Sequence, residues 1–411
     1  MKKTKNNQVK KIKQNKEDEM EKKHVNVALI GYKFMGKAHS HAYKDVSLFS
    51  DTESIPVMKI ICGRHDIPLA IAQEKFGWQE RTTDWKKIIK RDDIGLIDIT
   101  TPPNEHKNIA IEAARAGKFV FCEKPLATTL KEAYQMLEEV EKNNVKHAIC
   151  FNYRKLPAVG LAKKLIDEGK IGKIYHMRAV YLQDWILDPE SPLVWRLQKK
   201  IAGSGAHGDL NAHLIDMTRY LVGEFEEVIG MSKTFIKERP LLVEKNDLNT
   251  GLVVTEKSNK VGKVDVDDAT AFLARFANGA IGSFEATRFA AGRKNYQRWE
   301  INGSKGSIVF NLERLNELEY YSVDDPSCAQ GFRTIIATDT SHPYAENWWP
   351  AGHIIGYGDS FVNMVADIMN TFGTKKIPTP NFVDGVKCQE ILDAVCESVK
   401  KGKWVKINSR V

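Results

Sequence analysis

The sequence predicts an α/β protein in two parts: a doubly wound parallel sheet over residues 24–148, then an α+β domain with a large open, mostly antiparallel sheet over 149–411. Short apolar runs alternate with helix-period stretches in the first part, and longer period-two runs broken by turn signals fill the second. The 411 residues suffice for two cores. In the first part, strands are expected at 25–30, 57–62, 96–100, 119–122 and 146–151, rich in Val and Ile and so covered on both faces. Between them, 36–49, 67–76, 84–90, 105–116 and 129–143 carry helical periodicity. A helix at 157–168 opens the second part, followed by strands at 173–184, 228–237, 268–276, 280–288, 299–301, 307–311 and 318–323. Turns such as Ala277-Asn278-Gly279 and Asn302-Gly303-Ser304-Lys305-Gly306 separate several of them. The charged stretch 238–263 reads as a surface loop, and helices at 359–372 and 383–400 should pack back on the body.

Composition narrows the function classes. No apolar run approaches the ~20 residues that span a bilayer, so no membrane partner is expected. Residues 1–23 hold nine lysines against four acids, and without them the formal charge of +8 falls to about +3. That stretch lacks an apolar segment and a small-residue cleavage site, so it reads as a solvated, disordered tail rather than a secretory signal or a nucleic-acid arm. The cysteines at 62, 122, 150, 328, 388 and 396 form no CxxC, and three lie in apolar strand-like runs. Buried thiols and a reducing cytoplasm follow.

Strand 25–30 runs into Gly31-Tyr32-Lys33-Phe34-Met35-Gly36. Gly31 and Gly36 stand where the first and third glycines of GxGxxG allow the tight turn and close helix–strand packing. Lys33 replaces the middle glycine, obstructing close backbone approach to a pyrophosphate while offering an ammonium to it. The turn is either a cofactor loop, with Phe34 and Met35 beside the ligand, or a plain strand-to-helix turn; following the first strand favours the former. The second strand ends Cys62-Gly63-Arg64-His65-Asp66, with no acid where NAD needs one for its ribose hydroxyl. Arg64 pairs with the 2′-phosphate of NADP, stacks on adenine or lies in solvent, so NAD and NADP both stand. Thr101-Pro102-Pro103-Asn104-Glu105-His106 lies at the carboxyl edge of the sheet, where open α/β folds bind ligands. Thr101, Pro102 and Asn104 are candidate cofactor contacts; His106 is either a nicotinamide or ribose contact or a local helix-start residue.

Glu123-Lys124-Pro125 ends a wholly apolar strand. A lysine held there serves structure poorly but can stabilise an alkoxide. Farther on, Gly203-Ser204-Gly205-Ala206-His207-Gly208 leads to Asp209 and His213, four apart and so on one helical face, with Leu210, Leu214, Met217 and Leu221 as the apolar stripe. An isolated pair of this kind is more often an ordinary i,i+4 contact. Beside Lys124 and the glycine turn it becomes chemistry: His213, titrating near neutrality, as general base, Lys124 on the developing alkoxide, and Asp209 orienting the histidine or a neighbouring hydroxyl. No metal is needed.

Together, Gly31-Tyr32-Lys33-Phe34-Met35-Gly36-Lys37-Ala38-His39, Thr101-Pro102-Pro103-Asn104-Glu105-His106, Glu123-Lys124-Pro125 and Gly208-Asp209-Leu210-Asn211-Ala212-His213 resemble the Gfo/Idh/MocA oxidoreductases from about residue 25 to the C-terminus. The resemblance implies an N-terminal Rossmann domain, a C-terminal domain whose open sheet forms homodimer or homotetramer interfaces, and NAD(P)-dependent oxidation or reduction of sugars, cyclitols and polyols. It assigns catalysis to Lys124, Asp209 and His213; Glu123 and Asn152 are candidate cofactor contacts, Asn152 also a candidate for hydroxyl recognition. Lys33 departs from the pattern. Residues 342–353, with Trp348 and Trp349, look like the branch containing levoglucosan and inositol dehydrogenases, and Trp349 is either a sugar platform or part of a packed cover. Tyr153, Arg154, Asp184 and Trp185 are candidates for hydroxyl recognition, and Trp195 and Arg196 for closing over the nicotinamide. The expected function is dehydrogenation of a secondary sugar or cyclitol hydroxyl. The alternatives are glycoside hydrolysis through transient oxidation and a non-catalytic NAD(P)-binding regulator, which has no need of all three catalytic residues.

Overall fold

The computed structural model describes residues 22–246 and 253–411; the expected basic tail therefore lies almost wholly outside the described residues. The first sheet has six parallel strands: β1 (Lys23–Ile30), β2 (Ser54–Cys62), β3 (Glu80–Thr82), β4 (Leu96–Ile99), β5 (Phe119–Cys122) and β6 (His147–Ile149), ordered β3-β2-β1-β4-β5-β6. The order reverses between β1 and β4, which opens a crevice at their carboxyl ends. Five helices connect these strands: α1 (Phe34–Phe49), α2 (Asp66–Phe76), α3 (Trp85–Ile89), α4 (Pro103–Arg115) and α5 (Leu130–Lys142). Val27, Leu29, Ile61, Leu96 and Phe121 are fully buried, as strands covered on both faces require. β3 was not expected: three polar residues, Glu-Arg-Thr, leave no periodic signal.

After α6 (Pro157–Asp167), β7 (Ile174–Leu182) begins the second sheet. A short α7 (Lys199–Ala202) and α8 (Ala212–Leu221) intervene before β8 (Phe225–Lys233). The region expected as a charged loop is instead an antiparallel hairpin, β9 (Glu238–Asn246) with β10 (Val253–Lys263). Its polar sequence gives no period-two alternation, but Arg239 is buried and donates to the carbonyls of Ile186 and Asp188, tying the hairpin to the loop after β7.

The sheet continues through β11 (Ala269–Phe276), β12 (Ile281–Thr287), β13 (Tyr296–Gly303), β14 (Gly306–Asn311), β15 (Glu317–Ser322) and β16 (Arg333–Ile336). Its nine strands run β16-β15-β14-β13-β7-β12-β11-β8-β17, where β17 is Val405–Lys406. Only the β12–β7 pairing is parallel, so the sheet is mostly antiparallel as expected. Alternating burial along β11 marks one packed face and one open face.

Two late helices return to the body. α9 (Asp359–Met369) places Phe361, Val362, Met364 and Val365 against Val27, Leu29 and Phe121 of the first sheet. α10 (Phe382–Lys401), opened by an Asn381–Asp384 capping box, packs Val386, Ile391 and Val395 into the main core. No described helix is long and apolar enough to cross a membrane. All six cysteines are free; Cys62, Cys122, Cys150 and Cys388 are buried, whereas Cys328 is exposed and Cys396 half-buried.

Candidate active site

The reversal of strand order opens a cleft of about 890 Å³ between the two parts of the chain. At one end is the glycine turn. Gly31 has φ +117°, and a Cβ there would lie 2.5 Å from Thr100 Oγ1; a Cβ on Gly36 would lie 2.3 Å from the Gly31 carbonyl. Both glycines are thus compelled by close packing, while Lys33 precedes α1 with an exposed side chain. Lys33, Phe34, Met35, Arg64, Thr101, Pro102 and Asn104 line the cleft as expected. Gly36 sits behind it. Thr101 Oγ1 and Asn104 Oδ1 are buried without a hydrogen-bond partner. A glycine cradle, two exposed cations and two orphaned polar atoms along one crevice fit a nicotinamide dinucleotide.

His106 does not join them. It is wholly buried, with Nε2 2.9 Å from the Thr101 carbonyl and Nδ1 within 3.2 Å of the Pro125 and Leu126 carbonyls. Both ring nitrogens are thus engaged by backbone, and the residue pins the Glu-Lys-Pro turn to the start of α4. Glu123 lines the cleft but is also held from behind. His39, buried on α1, places Nδ1 2.8 Å from Asp98 Oδ2 and Nε2 3.0 Å from Glu123 Oε1; Glu123 Oε2 accepts the Lys124 backbone N–H at 3.0 Å. Burial opposes a charge on His39, yet Asp98 lifts it well above its ordinary pKa. Burial likewise opposes the Glu123 carboxylate, yet His39 and Lys124 hold it below the usual range. His39, Glu123 and Cys150 have the donor atoms of a metal site, but both nitrogens of the His39 ring are already taken by Asp98 and Glu123.

At the other end, Lys124 reaches Asp209. Its Nζ lies 2.9 Å from both the Asp209 carbonyl and Oδ1. Arg288, at the end of β12 and almost fully buried, donates to Asp209 Oδ2 at 2.8 Å. Burial pushes the Asp209 carboxyl up, but Lys124, Arg288 and Arg196 overwhelm it and hold the group well below its usual range. The turn His207–Asn211 that carries Asp209 is a π-helix, a wide turn of the kind found at functional sites. Asp267 fixes its start by accepting from the Gly205 and His207 amides at 2.8 and 2.7 Å. Gly205 leaves room for that contact, since a Cβ there would lie 1.7 Å from the Asp267 carbonyl.

One turn on, His213 packs its ring 4.5 Å from Tyr153 and 6.0 Å from Tyr181. Among the described residues, none hydrogen-bonds its ring nitrogens. Burial and the Lys124 ammonium push its pKa well below the ordinary value, and Asp209 only partly offsets this. Where the sequence suggests titration near neutrality, the buried setting shifts the ring downward, toward the neutral form. Tyr153 OH and Tyr181 OH are 3.0 Å apart, and Asn295 Oδ1 accepts from Tyr181 and Gln183 at 2.8 and 2.9 Å. Trp185, Trp195, Arg196 and Asn152 line the cleft, with the Arg196 guanidinium over the Trp195 ring.

Three expected substrate contacts lie elsewhere. Arg154 turns away into a buried ion-pair cluster, 2.6 Å from Asp216 and 3.0 Å from Asp384. Its cationic fork finds carboxylates on α8 and at the start of α10, which a sequence window cannot reveal. Asp184 bonds the Gly292 amide and Lys294 Nζ, so it is Lys294 that it presents to the cleft. Trp349 and Trp348 pack on Phe49 at the end of α1, away from the cleft; the packed cover is what the loop forms. Conversely, Arg288, Tyr181, Gln183, Lys294, Asn295 and Tyr357 line the cleft without having been singled out. The first five come from strand ends far apart in sequence, and Tyr357 from the turn before α9. The only local cue was the arginine closing the predicted strand 280–288.

Residues 25–151 match the family described as "Oxidoreductase family, NAD-binding Rossmann fold", and residues 159–309 match the "GFO/IDH/MocA C-terminal domain". Levoglucosan dehydrogenase from Pseudarthrobacter phenanthrenivorans is 47% identical over 385 residues, covering 93% of this chain and 98% of that protein. Myo-inositol 2-dehydrogenase from Thermotoga maritima is 28% identical over 285 residues, covering 69% and 74%. Among solved structures, a levoglucosan dehydrogenase complex with NADH and levoglucosan superposes with TM-score 0.87 at 46% identity, covering 94% of this chain and 100% of the other. An oxidoreductase domain protein from Kribbella flavida gives 0.88 at 44% identity, with the same coverage. The two family matches and the 47% identity over nearly the whole chain show that the chain belongs to the Gfo/Idh/MocA family of oxidoreductases, with an NAD-binding Rossmann domain.

Proposed function

We propose that the protein dehydrogenates a secondary hydroxyl of a sugar or cyclitol, or reduces the corresponding ketone, with His213 as the general base and Lys124 on the reacting oxygen. The observation that carries this is the Lys124–Asp209–Arg288 array beside a neutral, unbonded His213 at the floor of the cleft. Lys124 donates two hydrogen bonds to Asp209, which restrain it and so hold its charge at a fixed place, as stabilisation of a developing oxyanion requires. Arg288 balances Asp209, which keeps the carboxylate from drawing the proton itself. His213, kept neutral by burial and by Lys124, is free to take the hydroxyl proton as the carbon gives up its hydride. A bound nicotinamide supplies the hydride acceptor. Tyr153, Tyr181, Gln183, Trp185 and Asn295 give the substrate end aromatic faces and uncharged hydrogen-bonding groups, which suit a neutral polyol.

The relatives named for levoglucosan and inositol make anhydrosugars and cyclitols the first substrates to test. Six free thiols favour a cytoplasmic setting. The open face of the second sheet exposes Met231, Leu273 and Ile281, which supports self-association into a dimer or tetramer. The test follows absorbance at 340 nm with a panel of anhydrosugars, inositols and aldoses and either dinucleotide. Lys124→Ala and His213→Ala should each abolish turnover while dinucleotide binding persists. Tight dinucleotide binding with no turnover of any polyol would sink the proposal.

A further inference from the structure

The β9–β10 hairpin forms a two-stranded sheet of its own, apart from both large sheets. Two strands alone are marginally stable in water, and the base of this hairpin grips one other segment, residues 183–198 between β7 and α7. Arg239, the second residue of β9, is fully buried. Its Nη1 donates to the Asp188 and Ser191 carbonyls at 2.8 and 3.2 Å, and its Nη2 to the Ile186 carbonyl at 2.5 Å. The Leu193 amide donates to the Pro240 carbonyl at 2.8 Å. Just past β10, the Asp265 carboxylate accepts from the Lys199 amide at 2.6 Å, and the Asp265 amide donates to the Leu197 carbonyl at 3.4 Å. Ile186, Leu197, Val264 and Val266 close a small apolar cluster between these bonds. Gly262, paired with Arg239, leaves room for Leu193, whose side chain a Cβ there would meet at 2.6 Å.

The gripped segment is also the rim of the cleft, which Trp185, Trp195 and Arg196 line. It meets the catalytic array through Arg288, the partner of Asp209: the guanidinium lies 5.4 Å from the centre of the Trp185 ring and donates to the Arg196 carbonyl at 3.4 Å. The segment has no strand and a single 3-10 turn, Trp195–Leu197. Irregular backbone of this kind must take its hydrogen-bond partners from elsewhere, and the hairpin base supplies them.

We propose that the base of the hairpin positions this rim over the substrate, with Arg239 as the positioning residue. The inference rests on the reading that the cleft oxidises a sugar or cyclitol hydroxyl. Arg239 does not line the cleft. It acts by fixing three carbonyls that lie between Trp185 and Trp195 in the chain, so both indoles and the Arg196 guanidinium stand in one arrangement before substrate arrives. Without that clamp the substrate must order the rim as it binds, which weakens binding more than it slows the chemical step.

The test compares the full native chain with Arg239→Met and Arg239→Lys. Hydrogen exchange is read segment by segment, and kinetics are measured at saturating dinucleotide with levoglucosan, or with the polyol of the panel above that is turned over fastest. In Arg239→Met, exchange across 183–198 should rise at least about tenfold while 25–49 stays unchanged. KM should rise about tenfold, with kcat changed less than about threefold and the dinucleotide Kd within about twofold. Arg239→Lys keeps the charge and should restore most of the KM. Leu193→Ser loosens the same seam and should raise KM about threefold; it decides the matter if Arg239→Met does not fold. Unchanged exchange at 183–198, or raised exchange with KM and kcat both within about twofold of native, overturns the inference and leaves the proposed function standing. Loss of kcat and dinucleotide binding together with KM in Leu193→Ser marks a merely structural role and also overturns it. No turnover of any polyol by the native chain sinks the proposed function instead, and exchange then still decides whether Arg239 holds the rim.

Discussion

His39 offers the sharpest test of how the catalytic lysine is held. The imidazolium is sealed between Asp98 and Glu123, and Glu123 in turn holds the Lys124 amide. Replacing it, His39→Gln, removes a buried positive charge and leaves two buried carboxylates on either side of a neutral amide. Two charge-assisted hydrogen bonds are lost, each contributing about 1.5–3 kcal/mol, and the glutamine recovers one neutral bond of about 1 kcal/mol. The net, about 2–5 kcal/mol, matches the cost of breaking a buried pair by removing one partner. With a urea slope of about 3 kcal/mol per molar, the midpoint should fall by about 1 M.

The pH dependence follows from the raised pKa of the ring in the folded protein. Its stabilisation is fully present below the unfolded value of about 6.5 and disappears as pH rises through the folded value. The gap between native and variant should therefore be widest below about pH 6.5 and should narrow as pH rises through the folded-state value. The double variant His39→Gln/Asp98→Asn should be more stable than His39→Gln alone, because one orphaned carboxylate is gone. A midpoint shift below about 0.2 M, or a gap that does not close with pH, would refute the buried imidazolium.

Other expectations follow from the same geometry. Asp209→Asn leaves Arg288 and Lys124 without their shared carboxylate and should cost about 3–5 kcal/mol in urea denaturation, with kcat falling at least tenfold. A loss below 1 kcal/mol would show that the two cations find other partners. The acid limb of kcat/KM should lie well below pH 6.5, because His213 is held neutral by burial and Lys124; a limb at or above about 6.5 contradicts that assignment. Arg154→Met strips Asp216 and Asp384 of their cation, so stability should drop by about 3–5 kcal/mol while KM for substrate stays within about twofold. A selective rise in KM would return Arg154 to the substrate site. Leu273→Glu, on the open sheet face, should shift the species seen by light scattering toward monomer without lowering the melting temperature.

The first sheet was legible because its strands are buried on both faces, so Val, Ile and Phe runs announced them directly. The Lys124 and Asp209–His213 ends of the site were legible for a different reason. Each is local, a strand end and a helical i,i+4 pair, and local spacing survives in a linear sequence. What escaped was whatever depends on pairing across the fold. Arg288 is separated from Asp209 by 79 positions, and Asn295 from Tyr181 by 114. Arg154 misled because its neighbour Tyr153 does face the cleft, and adjacent residues leave a helical turn in different directions. Trp349 misled because an aromatic residue's affinity for sugar faces is also affinity for Phe49. The β9–β10 hairpin hid because its sequence is rich in charge, and its anchor, Arg239, is a cation received by the backbone carbonyls of Ile186 and Asp188.

The cover that α9 provides for the first sheet has a bearing on how the protein is made. Strand β6 ends at Ile149 and α9 begins at Asp359, roughly 210 residues later. At the ~5–20 residues per second of translation, the face carrying Val27, Leu29 and Phe121 has only the cover of α1 and α2 for about 10–40 s before Phe361 and Val365 are synthesised. The nucleotide-binding half thus cannot finish folding on the ribosome as it emerges, although it comes first. That part of the cover arrives only with the last eighth of the chain, so a gene fragment ending at β6 encodes a sheet with one face incompletely covered.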